Sequence, residues 1–106
     1  MQEKYSNEFK NVLESIKNLL LEEQNIGQIR VVDNLLQCLE KNDYLEFERE
    51  VNSINMWGGA GSVLDVYFEN SKLQKKFHNK LLRLIDLMKR AEILDLSLNL
   101  SQKIWF

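Results

Sequence analysis

The sequence predicts an all-α domain, a compact bundle of four to five helices with one glycine-rich corner. Three observations predict it. Apolar residues recur at steps of three and four through most of the 106 residues, which is the period of a helix with one buried face. The chain contains no proline, so no helix is forcibly interrupted. Three of the four glycines stand together, at Gly58, Gly59 and Gly61, and concentrate the breaks in one place.

The elements follow in order. Over residues 3–24, Tyr5, Phe9, Val12, Leu13, Ile16, Leu19 and Leu20 share one helical face, with Glu3, Lys10, Glu14 and Lys17 on the other. Asn25 and Gly27 are the expected stop, because both tolerate the left-handed conformation that ends helices. A second helix spans about 28–40, with Ile29, Val32, Leu35, Leu36 and Leu39 inside, and Lys41-Asn42 breaks it. So short a connection makes the pair an antiparallel hairpin.

The third helix opens at Asp43-Tyr44-Leu45-Glu46. An acceptor side chain followed three residues later by Glu has the form of a capping box. Tyr44, Phe47, Val51 and Ile54 form its apolar stripe, and an end near residues 53–55 is expected. Asp43, Glu46 and Glu50 line up beside that stripe.

Met56-Trp57-Gly58-Gly59-Ala60-Gly61 reads as a loop. Ser62 suits an N-cap and Asp65 suits a first turn, so a short helix to about Phe68 is expected. Asn70 or Ser71 then caps a long helix to about residue 91, with Leu73, Phe77, Leu81, Leu84, Met88 and Ala91 inside. The tail Leu94-Asp95-Leu96-Ser97-Leu98-Asn99-Leu100 alternates with period two, as a strand does. No other segment offers it a partner strand. A helical continuation is expected instead, then an apolar end at Ile104-Trp105-Phe106.

Composition narrows the class. Hydrophobic residues make up 44% and charged residues 28%, which fits one globular domain and not a disordered chain. No apolar run approaches the roughly 20 residues of a membrane span. Met1-Gln2-Glu3-Lys4-Tyr5 does not lead into an apolar stretch, so no signal peptide is expected. The single cysteine leaves no intrachain disulfide and no cysteine-rich zinc site, and a reducing, cytoplasmic compartment is expected. The net charge of -2 argues against general nucleic-acid affinity. The charge is uneven, with 6 basic and 11 acidic residues over 1–56 but 8 basic and 5 acidic over 57–106. Such a dipolar molecule is steered toward a charged partner.

Catalytic and metal chemistry finds no foothold. His78 is the only histidine and has no second histidine or nearby cysteine with which to hold zinc. No serine or cysteine triad is readable. No enzyme activity, cofactor or metal is expected. Cys38 has no evident basic neighbour to lower its pKa, so an inert thiol is expected.

The glycine loop admits three readings: a tight corner sealed by Trp57, a partner-binding loop, or an anion site. A phosphate loop would follow a strand and carry Lys-Ser or Lys-Thr after its last glycine. Here Ser62-Val63 follows, and Asp65 would repel an anion. Trp57-Gly58-Gly59-Ala60-Gly61-Ser62, with Asp65 beyond, resembles an aromatic-Gly-Gly-x-Gly-Ser-x-x-Asp element found in a family of small bacterial all-α proteins. Met is common in that family where Ala60 stands here. The resemblance spans residues 57–65 and implies a bacterial origin but no activity. Small proteins of this type look like immunity proteins of bacterial toxin systems, which would make the partner a cognate toxin domain.

The acidic row gives that expectation a surface. Nuclease toxins carry basic surfaces because they bind phosphates, and an acidic helix can occupy such a groove. The partner-binding residues expected are Asp43, Glu46 and Glu50, with Trp57 as an apolar anchor beside Gly58 and Gly59. The plain alternative is a solvated helix face. Two further readings stay open. One is a structural or regulatory homo-oligomer, with Trp105 and Phe106 packing across a two-fold axis. The other is a weak nucleic-acid binder using Lys72, Lys76 and Arg83.

Overall fold

The apolar face of the first helix becomes the centre of the fold. The computed structural model describes residues 1–98. Its helices are α1 (Ser6–Glu22), α2 (Ile26–Glu40), α3 (Tyr44–Val51), the one-turn α4 (Ile54–Trp57) and α5 (Ser71–Arg90). Single 3-10 turns lie at Glu3–Tyr5 and Leu96–Leu98. There is no strand among the described residues, and no helix there is long and apolar enough to cross a membrane.

α1 packs on both α2 and α5, and α3 packs on α2. Lys10–Glu40 at 3.5 Å and Lys17–Asp33 at 2.8 Å run α1 and α2 antiparallel, as the short connection predicts. Phe9, Leu13, Ile16 and Leu20 of α1 are fully buried among Leu35 and Leu39 of α2, Phe47 and Val51 of α3, and Phe77 and Leu81 of α5. Phe9 meets Phe47 edge-on with ring centres 5.0 Å apart. Such a pair adds about 0.5–1.5 kcal/mol beyond its burial.

Three helices end in the same way, and none of them uses glycine to do it. Gln24, Asn42 and Glu92 take φ of 54°, 55° and 60°. The next N–H reaches back five residues each time: Asn25 to Leu20 at 3.2 Å, Asp43 to Cys38 at 2.8 Å and Ile93 to Met88 at 3.0 Å. This is the Schellman closure, which satisfies carbonyls the helix leaves open. The break at Lys41-Asn42 is therefore as expected. The first stop is not: Gln24 holds the left-handed position, Asn25 is the residue before α2 at φ -81°, and Gly27 lies inside α2.

Three further expectations change. Ile54 leaves the α3 stripe and is 76% exposed, because α3 ends at Val51 and a new turn begins after Ser53, which resets the helical phase. Met56 and Trp57 belong to α4 and not to the loop. No helix forms between Ser62 and Phe68. The Ser62 Oγ does accept the Asp65 N–H at 3.3 Å, but Val66 and Phe68 are both buried while Tyr67 is exposed. Helical residues two apart point nearly opposite ways, so burying both needs extended chain.

α5 follows its prediction. The Asn70 side chain accepts from the N–H groups of Lys72 (2.9 Å) and Leu73 (3.2 Å). Phe77, Leu81, Leu84 and Met88 are buried, and Leu73 and Ala91 are partly so. It does not continue into the tail, because Glu92 closes it. Asn52 then pins the chain beyond, donating to the Ile93 carbonyl and accepting the Asp95 N–H, both at 2.9 Å. The expected apolar end at Ile104, Trp105 and Phe106 lies outside the described residues.

Candidate functional site: an acidic groove between α2 and α3

The end of α2 and the start of α3 enclose a shallow groove of about 280 Å³. α2 contributes Asn34, Gln37 and Cys38, with Lys41 just past its end. Asp43, Glu46 and Glu50 form the other wall. The tight Asn42 turn brings the two walls together. Asn34, Gln37, Cys38 and Lys41 are spaced i, i+3, i+4 and i+7, one helical face, and this spacing is the signal that marks the α2 wall.

The three carboxylates have different duties. Asp43 is the N-cap of α3, and its side chain accepts the Glu46 N–H at 3.3 Å. The reciprocal half of a capping box is not made. The Asp43 N–H goes to Cys38, and the Glu46 carboxylate is taken by Arg49 through both its Nε (3.0 Å) and a terminal nitrogen. Arg49 also reaches Glu50 at 3.3 Å. The Arg49 guanidinium holds the Glu46 carboxyl below its ordinary range. Arg49 is not among the residues expected at the site, and its i,i+3 spacing from Glu46 is the sequence signal for it.

Cys38 lies half-buried in the groove. Burial, and then the charges of Asp43, Glu46 and Glu50, push its thiol above its ordinary pKa. Such a thiol is a poor nucleophile. No group of three His, Cys, Asp or Glu side chains is placed to hold a metal ion among the described residues.

Trp57, Gly58 and Gly59 do not line this groove. Trp57 is 1% exposed, and its indole N–H donates to the Val51 carbonyl at 2.7 Å. It is a core side chain, not an exposed anchor. Gly58 closes α4, where an added Cβ would stand 2.7 Å from both the Cβ and the carbonyl oxygen of Ile54. Gly59 and Gly61 both take φ of 85°, and the Gly61 carbonyl accepts the Gln28 side chain at 2.8 Å. The glycines therefore make a corner in which a buried tryptophan is locked.

The basic residues of α5 are placed apart from the groove. Lys72 and Lys76 are exposed. Arg83 is shared between Glu8 (3.7 Å) and Asp86 (3.6 Å). Trp105 and Phe106 lie outside the described residues. Comparison with family models, curated proteins and solved structures finds no match.

Proposed function

We propose that the chain is a protein-binding module without a reaction of its own, and that it acts as an immunity protein that blocks the catalytic domain of a bacterial toxin. The observation that carries this reading is the convergence of Asp43, Glu46 and Glu50 on one open groove. Their charge favours a basic partner segment, and long-range attraction speeds the encounter. Arg49 does not defeat the site. Its side chain is 71% exposed, and exposed ion pairs are worth about 0–1 kcal/mol. An incoming lysine or arginine can displace it at little cost. The same reading puts the protein in the cytosol, where its single thiol stays reduced.

The test is capture of the tagged chain from its own cells at low and high salt, beside an Asp43→Asn/Glu46→Lys/Glu50→Lys variant. Asparagine is chosen at residue 43 because it keeps the α3 cap. One foreign basic protein, released by salt and lost with the variant, is the expected result. Co-expression of the chain must then rescue growth from that protein. A partner retained by the variant removes the acidic groove from the account.

A further inference from the structure

α5 carries seven cations and one carboxylate in 20 residues, a net of +6. Its two arginines are engaged: Arg83 by Glu8 and Asp86, and Arg90 by Asp86 at 2.8 Å. Its five lysines are exposed and have no carboxylate within 4 Å among the described residues. Lys72, Lys76 and Lys80 follow one another at i, i+4 spacing, where like charges repel. Beside them the α1–α5 seam holds two adjoining hollows of about 490 and 180 Å³, which share Ser15 and Lys80. Asn11, Asn18 and Asn79 line the hollows with hydrogen-bonding groups, and Glu22 and Glu8 each add a carboxylate to one of them.

The complementary surface is on the same chain. α3 and its cap carry Asp43, Glu46 and Glu50 on the groove side beside the cation Arg49, while Glu48 lies off that side and is taken by the Met1 ammonium at 2.9 Å. None of these four carboxylates pairs with an α5 lysine within the molecule. The two faces are thus left to meet between molecules.

We propose that the lysine face of α5 docks the acidic α3 face of a second copy of this chain. The contact is heterologous: each copy offers its acidic face to one neighbour and its lysine face to another. α3 is only eight residues long, about 12 Å, so the interface belongs to the small, transient class below about 1,200 Å². Attraction across so exposed a contact is governed by salt. A copy seated in this way covers the groove between α2 and α3 and makes its availability depend on concentration. The inference shares α3 with the toxin-partner reading but does not rest on it.

Sedimentation of the purified full chain over a range of concentrations tests it. The average mass is expected to rise with concentration near 0.1 M salt, where the screening length is about 10 Å, and to return to the monomer near 1 M, where it is about 3 Å. Neutralising Lys72→Gln/Lys76→Gln/Lys80→Gln, or separately Glu46→Gln/Glu50→Gln, should each leave a monomer with an unchanged circular dichroism spectrum. Mixed in equal amounts, the two variants should form a dimer and nothing larger, since each keeps one intact face. Association that survives in either variant alone, or that high salt leaves unchanged, overturns the proposal. So does a monomeric wild type, and one that binds random-sequence duplex DNA through these lysines would assign the face to a nucleic acid instead. Because only the purified chain is used, failure here leaves the capture experiment unaffected.

Discussion

The Trp57 indole N–H donates to the Val51 carbonyl across 2.7 Å, inside the core. Val51 is the last residue of α3, and its carbonyl is one that a helix end leaves without an intrahelical partner. Trp57, six residues on, both satisfies that carbonyl and fills the space beneath the glycine corner. Trp57→Phe keeps most of the apolar volume and removes the donor. The expected loss is about 1–3 kcal/mol, read as a lower denaturation midpoint with an unchanged slope. A midpoint within error of wild type would show that water replaces the indole.

The glycines of the corner should fail for different reasons. Gly58→Ala drives a Cβ into the backbone and side chain of Ile54, at 2.7–2.9 Å, and overpacking of this kind costs about 1–3 kcal/mol. Gly59→Ala meets no atom within 4 Å but must hold φ at 85°, a strain of about 1–2 kcal/mol. A second substitution at Ile54 separates the two. Replacing Ile54 with Gly, which removes the Cβ that the Gly58→Ala methyl would meet at 2.7 Å, should relieve part of the Gly58→Ala defect and none of the Gly59→Ala defect. Equal relief of both would refute the distinction.

Asn70 is the cap on which the longest helix depends. Its side chain serves two N–H groups, and Asn70→Ala should cost about 1 kcal/mol. Asn70→Asp keeps the acceptor and should be close to neutral. Thermal melts of the two variants decide this, and similar losses in both would show that the cap is not the cause.

His78 should make stability fall in mildly acidic solution. The Gln74 Oε1 accepts the Phe68 N–H at 2.6 Å, so its Nε2 faces the His78 Nε2 at 2.9 Å and donates to it. The imidazole is then neutral at that nitrogen, and burial pushes its pKa below the ordinary 6.5. The unfolded chain takes up the proton first as pH falls. Stability is thus full above about 6.5 and declines as pH drops through it, levelling only below the folded pKa. The Glu46 and Asp95 carboxyls, both held below their ordinary 4.5 and 3.8, add a separate loss at lower pH. Denaturation midpoints of wild type and His78→Gln between pH 7 and 5 (roughly the histidine range) should converge as pH falls. Parallel curves would rule the histidine out.

The legible parts of the fold were those set by local chemistry. The period of three and four placed α1, α2, α3 and α5, because each buries one face of its own cylinder. Asp43 and Asn70 were readable as caps because a cap acts within three residues. Asp43, Glu46 and Glu50 were visible as neighbours for the same reason, but the opposite wall of their groove was not, since it comes from α2. What escaped depends on distant partners. Val66 and Phe68 override the helix signal of Ser62 because both must reach the core. Trp57 beside three glycines admits both an anchor and a core reading until the Val51 carbonyl is in place. Gln24 and Glu92 carry no mark of a left-handed turn.

Those turns have a consequence for how far the molecule can drift or be improved. Gln24 and Glu92 close two helices in a conformation that their side chains disfavour by about 1–2 kcal/mol, and that Asn42 at the third tolerates. Glycine at 24 or 92 would remove that strain, less about 0.4–1 kcal/mol for the looser unfolded chain. The protein thus holds unused thermal headroom in its punctuation. That reserve can be drawn on without altering the core, the acidic groove or the lysine face.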